Sequence, residues 1–222
     1  MPVVINSNPE SNMLHIEFLV EELSAEKALH NLLPKIITGE HTYKIITYQG
    51  KHDMLAKLPY TLKGYAKWID QNFKIVVLID RDNMDCFILK EQLEHIANEA
   101  TLSTKSSVDN NASYTVLNRI AIEELESWFF GDANAVRSAY PRVSANFEQK
   151  STYRNPDNIQ GGTWEALERI LQVAGYFRTG IRKTEVANEI SKHMQPLNNR
   201  SKSFQVFWDG ITDTLSLNEE NH

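Results

Sequence analysis

The feature of this sequence that most restricts its fold is a continuous apolar run, Ile75 to Ile79, that ends directly in Asp80-Arg81-Asp82. A run without polar alternation is typical of a strand that is covered on both faces, as in a parallel sheet. The apolar residues after it, between Phe87 and Ala97, recur at roughly helical spacing. The sequence therefore predicts a buried strand and then a helix, with aspartates at the turn between them.

Similar units lie on both sides of this one. The other strand candidates are residues 14–20, 43–48 and 114–117. The other helix candidates are residues 25–37, capped by Ser24, a helix that begins at Pro59, and a stretch from Arg119 to Trp128. Strands that alternate with helices in this way indicate a doubly wound α/β fold, in which helices cover both faces of a mostly parallel, Rossmann-like sheet.

The chain changes character after residue 150. Residues 151–162 are rich in Asn, Pro, Gly and Ser, and no convincing strand follows them. Helix candidates cover residues 164–173, 183–194 and 204–211. We predict an α/β domain over residues 1–150 and C-terminal helices over residues 151–222. The pattern leaves open whether these helices form an extension of their own or a cap within the same domain.

Several classes of protein are disfavoured by composition. The apolar runs are far shorter than the roughly 20 residues of a membrane-spanning helix, and the first residues lack the order of a signal peptide. The single Cys86 excludes an internal disulfide and a zinc site built from cysteines. The net charge of −6 argues against a uniformly basic, nucleic-acid-coating surface. We expect a cytoplasmic protein with no membrane partner.

Acidic residues follow the predicted strands at the points where the strands end. Glu21 and Glu22 follow the first strand, Asp80, Asp82 and Asp85 follow the third, and Glu126 lies beyond the fourth. The carboxyl ends of parallel strands form one edge of a sheet, where ligands bind. Carboxylates that converge there repel one another unless a cation lies among them, and oxygen ligands suit Mg²⁺ or Mn²⁺. An Asp-x-Asp pair alone also fits a loop that caps a helix through Asp82 or Asp85.

One short segment of the acidic chain is basic. Residues 178–202 carry six basic and two acidic residues. The candidates for contacts with a nucleic-acid backbone are Arg178, Arg182, Lys183, Arg200 and Lys202. A solvated helix face is the alternative interpretation of the same charges.

These motifs resemble the toprim fold of topoisomerases, bacterial primases, recombination-repair proteins and overcoming-lysogenization-defect nucleases. More narrowly, the chain resembles an uncharacterised bacterial group of toprim-like proteins, often encoded beside AAA-type ATPases in settings suggestive of phage defence. The resemblance rests on residues 20–26, 78–82 and 119–128, and on Lys183, Ala187 and residues 200–204.

The resemblance implies roles for particular residues. Glu21 corresponds to the toprim glutamate, a general acid/base or metal ligand, and Asp80 and Asp82 hold Mg²⁺. Glu126 is a further ligand or an acid behind the ligands, and Glu26 and Asp85 are weaker candidates. Toprim proteins commonly have glycine where this chain has Glu22, so the turn differs here or Glu22 has been recruited.

The function implied is a metal-dependent phosphodiesterase, a nuclease acting on DNA or RNA in phage defence or nucleic-acid processing, with an ATPase partner. Two alternatives remain open. One is a binding or regulatory subunit that keeps the toprim frame without catalysis. The other is an Asp-x-Asp nucleotide-sugar transferase, for which the sequence shows no sugar-binding signature.

Overall fold

The computed structural model describes residues 13–109, 112–177, 180 and 182–220. In these residues four parallel strands form one sheet in the order β2-β1-β3-β4. The strands are β1 (His15–Val20), β2 (Thr42–Thr47), β3 (Phe73–Asp80) and β4 (Val116–Ala121). Helices cover both faces, which confirms the predicted doubly wound, Rossmann-like α/β fold.

The helices before residue 150 are α1 (Leu23–Leu32), α2 (Lys51–Tyr65), α3 (Cys86–Glu99), α4 (Glu126–Gly131) and α5 (Ala133–Ala139). Those after it are α6 (Thr163–Val173), α7 (Lys183–His193) and α8 (Lys202–Glu220). Single 3-10 turns lie at Leu33–Lys35, Phe147–Gln149, Pro156–Asn158 and Pro196–Asn198. No helix in the described part of the chain is long and apolar enough to cross a membrane.

Successive side chains of a strand point to opposite faces of the sheet, so the buried apolar residues form two cores, one on each face. On β1, Phe18 and Val20 face the core that contains α1, α7 and α8, whereas Leu19 faces the core that contains α2 and α3. All eight residues of β3 are buried, because this strand lies inside the sheet and is covered on both faces. This burial on both faces explains why the sequence is apolar without interruption from Ile75 to Ile79.

The C-terminal helices complete the first of these cores. Helix α7 packs on α1, where the side-chain amide of Asn31 donates to the Ser191 hydroxyl over 2.9 Å. On α8, Phe207 packs against Phe18 of β1 and against Trp128 of α4, whose ring centroid is 4.9 Å away. Residues on both sides of position 150 therefore share one core, and the last helices cover one face of the sheet.

Several boundaries of the predicted elements are wrong. Strand β4 continues through Arg119 to Ala121, so the helix after it begins only at Glu126. Helix α2 begins at Lys51 and contains Pro59 in its interior. An interior proline costs about 3 kcal/mol; here the buried stripe of Met54, Leu58, Leu62 and Tyr65 outweighs it.

The start of α1 also differs from the prediction. Glu22 occupies the N-cap position, and Ser24 lies inside the first turn. The regular helix ends at Leu32, because Pro34 follows in a 3-10 turn and cannot continue the α-helical hydrogen bonding.

Candidate functional site

The strand order of this sheet reverses between β1 and β3. The chain runs from β1 to β2 on one side and then crosses to β3 on the other. Ligands of open α/β sheets bind in the crevice at such a topological switch point, beyond the carboxyl ends of the strands. Glu21 directly follows β1 and Asp80 is the last residue of β3, so these two acids flank that crevice.

Glu21 is held in place by the neighbouring strand. The backbone N–H of Asp80 donates to Oε2 of Glu21 over 3.1 Å. Burial is the largest influence on the pKa of Glu21 and raises it, while this hydrogen bond and the charge of Lys51 oppose the shift. The net result is a raised pKa, so Glu21 holds a proton more readily than an exposed glutamate does.

Asp80 and Glu126 are the most deeply buried acids of this region. Glu126 is fully buried, and among the described residues neither of its carboxylate oxygens has a hydrogen-bond partner. Burial, opposed by the charge of Lys183, raises its pKa to about 7. Burial also raises the pKa of Asp80 well above its ordinary value, and the charges of Glu126 and Glu21 add to this shift. We call Glu21, Glu22, Asp80 and Glu126 the acidic centre.

Lys183 supplies positive charge at this centre. It is the first residue of α7, and its Nζ lies 3.6 Å from Oε1 of Glu124 and 5.3 Å from the ring centroid of Trp164. Burial lowers the pKa of Lys183, but the charges of Glu126, Glu22 and other acids outweigh it, so the pKa is raised. The sequence predicted that Lys183 contacts the backbone of a nucleic acid. The structure places it beside the carboxylates of Glu124 and Glu126.

Glu124 links this lysine to α6. One of its carboxylate oxygens accepts hydrogen bonds from the Thr163 hydroxyl at 2.9 Å and the Trp164 backbone N–H at 2.8 Å. A carboxylate at the first turn of a helix satisfies orphan N–H groups and complements the helix dipole. The loop after β4 is thereby tied to the C-terminal helices.

Asp82 lies next to the acidic centre but is already paired. Its carboxylate contacts the Lys51 ammonium at 2.6 Å. Its backbone has φ 48°, and its N–H donates over 2.7 Å to the carbonyl of Glu123, which has φ 62°. Two adjacent non-glycine residues in the left-handed region are a source of strain of the kind that concentrates at functional sites. Glu123 pairs with Arg81.

Sequence reasoning missed Lys51 as a residue of this region. A signal was available, because Lys51 follows Gly50 just after β2 and thus stands at the same carboxyl edge as the acids. Its ammonium also donates to the carbonyl of Arg81 over 3.0 Å, which anchors the loop after β3.

The remaining predicted acids have other partners. Glu22 adopts an extended φ of −145° and accepts a hydrogen bond from Ser24, so the turn here differs from one built on glycine. The Glu26 carboxylate accepts from the Thr47 hydroxyl at 2.6 Å, which is the main reason its pKa is lowered. Asp85 is exposed and caps α3, accepting from the backbone N–H groups of Phe87 and Ile88.

The predicted basic segment is dispersed by the fold. Arg182 is exposed next to Lys183. The guanidinium of Arg200 donates to the carbonyl of Phe130 over 3.3 Å, and Lys202 lies in a groove between α3 and α8. Arg178 lies outside the described residues.

A polar cleft of about 780 Å³ opens beside the acidic centre. Its walls are residues 81–83, residues 123–124, residues 158–162 and Glu165. We call this cavity the polar cleft; its volume is in the range of small-molecule binding sites.

The donor groups of the centre fit a hard divalent cation. In the described residues, the carboxylate oxygens of Glu126 have no hydrogen-bond partner. Neighbouring acids oppose the ionisation of Asp80 beside it. A bound cation would satisfy both groups. Among the described residues, no three His, Cys, Asp or Glu side chains form a ready-made metal cage. Mg²⁺ commonly binds through only one or two carboxylates and keeps several waters, so a pair of acids is a sufficient anchor.

The fold and this site define a Rossmann-like, doubly wound α/β protein with a carboxylate centre at its switch point. The chain belongs to the family described as "Domain of unknown function (DUF4276)", whose model matches residues 20–212. That range contains the whole acidic centre and Lys183. No curated protein and no solved structure matches the chain.

Proposed function

We propose that this protein is a metal-dependent phosphodiesterase, acting as a nuclease, in which Asp80 and Glu126 anchor Mg²⁺ or Mn²⁺ and Glu21 is the neighbouring general acid/base. The observation that carries the proposal is the fully buried Glu126, whose two oxygens have no hydrogen-bond partner in the described part of the chain and lie next to a second buried acid. Burying a carboxylate without partners is costly, and a fold keeps such a group where something else neutralises it.

A bound metal would neutralise a scissile phosphate and lower the pKa of a water ligand. The chain's own groups have complementary tasks. Glu21, oriented by the Asp80 N–H and with a raised pKa, accepts or donates a proton at its carboxylate. Lys183 offers a positive charge to a phosphate oxygen. Lys51 holds Asp82 and the loop after β3 in place.

The finer identity is also part of the proposal. The α/β fold and an acid after β1 facing an Asp-x-Asp after β3 support the resemblance to toprim proteins. That resemblance implies DNA or RNA as substrate, an AAA-type ATPase as partner and a role in phage defence. The cytoplasmic location that the sequence favours stays a prediction.

A second candidate is a non-catalytic binding or regulatory subunit. The observation that favours it is the pairing of three acids at this edge with the protein's own cations. Asp82 pairs with Lys51, Glu123 with Arg81 and Glu124 with Lys183. Ion pairs of this kind stabilise the carboxyl edge of the sheet without a metal, as expected of a non-catalytic subunit.

Calorimetric titration with Mn²⁺ and Mg²⁺ distinguishes the two candidates. Wild type is compared with Asp80→Asn, which keeps the shape of the side chain, and with Asp85→Asn as the matched control. Asp85 belongs to the same loop but caps α3. We expect metal binding by wild type and Asp85→Asn, and its loss in Asp80→Asn. The same three proteins are assayed with Mn²⁺ on bis(p-nitrophenyl) phosphate and on labelled DNA and RNA.

The outcomes separate cleanly. Metal binding and cleavage that both depend on Asp80 support the phosphodiesterase. Absence of metal binding by wild type at millimolar concentrations removes the basis of the catalytic proposal and favours the regulatory subunit.

A further inference from the structure

The polar cleft has a lining that suits bases better than a sugar-phosphate backbone. Four of its lining residues are acids, namely Asp82, Glu123, Glu124 and Glu165, against one cation, Arg81. Three of these acids already pair with Lys51, Arg81 and Lys183, so the wall has no excess of positive charge to attract phosphate groups. Exocyclic amines of cytosine, adenine and guanine donate hydrogen bonds that carboxylates accept.

Neutral amides extend this lining. The side chains of Asn83, Asn158 and Gln160 are exposed in the cleft. Each amide offers both donors and acceptors, which is the combination used to contact base edges. The Gln160 side chain donates to the Asn158 amide oxygen over 3.1 Å, so two of these groups are oriented relative to each other.

An exposed aromatic residue stands at the same edge of the sheet. Phe87, the second residue of α3, follows Asp82 by five positions and is 85% exposed. Its neighbour Ile88 is 62% exposed. The carboxylate of Asp85 accepts a hydrogen bond from the Phe87 backbone N–H, which fixes the start of the helix that carries the ring. An exposed aromatic ring offers a face on which bases stack without sequence preference.

We infer that the substrate is single-stranded nucleic acid, or an unpaired end, with one base stacked on Phe87 and a neighbouring base in the polar cleft. This inference rests on the proposed function, because it assigns cleavage of the scissile phosphate to the acidic centre. A duplex hides base faces within its stack and fills the Watson–Crick edges with pairing. A cleft of this volume accommodates about one nucleotide, within the 300–1,000 Å³ of small-molecule sites.

The test is fluorescence anisotropy with a labelled mixed-sequence DNA oligonucleotide, used single-stranded and annealed to its complement. Ca²⁺ replaces Mg²⁺, and a gel confirms that the probe stays intact. The variants are Phe87→Ala and Phe87→Trp. The matched control is Tyr60→Ala, because Tyr60 is 79% exposed on α2 but lies about 13 Å along that helix from its start.

We expect the single strand to bind at least about tenfold more tightly than the duplex. Phe87→Ala should weaken single-strand binding about fivefold or more, since stacking contributes about 1–3 kcal/mol per base. Phe87→Trp should retain or improve it, and Tyr60→Ala should leave it unchanged. Gln160→Leu should also weaken single-strand binding, because the polar cleft loses an amide that can contact a base.

Two results overturn the inference: duplex binding as tight as single-strand binding, or a Phe87→Ala variant that binds like wild type. If either occurs while metal binding and cleavage still depend on Asp80, the phosphodiesterase stands and the substrate class is wrong. If single-strand binding depends on Phe87 but no metal binds, the inference survives as a binding site and the catalytic function fails. Failure to bind either form of the DNA overturns the inference, while the metal titration and the cleavage assays decide the proposed function separately.

Discussion

The backbone N–H of Asp80 donates a hydrogen bond to the Glu21 carboxylate over 3.1 Å, and this contact joins the ends of β1 and β3. The acceptor on one strand and the donor on the next meet at the switch point of the sheet. Because the donor is main chain, its position depends on the strand register and not on a rotamer. Glu21 is therefore oriented before any ligand arrives.

The pKa of Glu126 predicts how stability depends on pH in metal-free protein. A carboxyl with a folded pKa of about 7 and an unfolded value of 4.5 binds protons more tightly in the folded state. The contribution of Glu126 to stability is therefore largest below about pH 4.5, falls as pH rises towards about 7 and is constant above it. For this fully buried group the loss is about 3 kcal/mol.

Glu126→Gln should remove that loss, so its stability relative to wild type should grow by about 3 kcal/mol between pH 4.5 and 7.5. Urea unfolding in EDTA at several pH values measures this difference. The stability of Glu126→Gln should still fall as pH rises, because the pKa of Asp80 is also raised. A difference that does not change with pH would contradict the buried, partnerless state of Glu126.

Lys183→Met should strengthen metal binding. The ammonium opposes the binding of a second cation among the same acids, and near-surface charges at 4 Å interact by about 4 kcal/mol. At pH 8.5, where Glu126 is ionised, we expect Mn²⁺ affinity to rise about threefold or more by calorimetry. Phosphodiester cleavage should fall, because the phosphate loses a cationic contact.

The matched control for this prediction is Lys192→Met, at the other end of α7, where the lysine pairs with Glu189. It should leave both properties unchanged. An unchanged metal affinity in Lys183→Met would show that its charge does not act on the centre.

Asp157→Ala should destabilise the fold by about 2–3 kcal/mol. Its carboxylate accepts from the Lys202 backbone N–H at 2.5 Å and from the hydroxyls of Ser201 and Ser203 at 2.8 and 2.9 Å. The substitution removes the acceptor of the Lys202 N–H and leaves two buried hydroxyls short of a partner, although the Ser201 hydroxyl still accepts from the Phe204 N–H at the start of α8. Denaturant titration should show a smaller effect, within about 1 kcal/mol, for the exposed ion-paired Asp213→Ala.

Thr101→Gly should stabilise the protein by about 0.5–1 kcal/mol. Thr101 follows α3 with φ 59°, a conformation that is strained for a β-branched residue and free for glycine. Thr101→Ala keeps a Cβ in the left-handed region and should gain less. Thermal unfolding ranks the three proteins, and a Gly variant no more stable than the Ala variant would argue against strain at this position.

Much of the fold could be predicted because its signals are local. The apolar run before Asp80 indicates a strand covered on both faces, and helical spacing marks the covering helices. Parallel strands share one carboxyl edge, so Glu21 and Asp80 could be placed together from their positions alone. Local signals misplaced the start of α2 at Pro59, because the burial of the helix's own apolar stripe in the core outweighed the proline. Local signals also ended β4 too early, because its last residues are held in the sheet by pairing with β3, which lies far away in the chain.

The sequence by itself therefore determined the α/β class, the strands and the acids at their ends, since these depend on residues close together in the chain. Only the tertiary structure decided which charges meet. The packing of α7 on α1 delivers Lys183 to Glu124 and Glu126, and the crossover through α2 delivers Lys51 to Asp82. Burial and pairing of a charge depend on neighbours from distant parts of the chain, so the partnerless state of Glu126 follows from packing and from no motif.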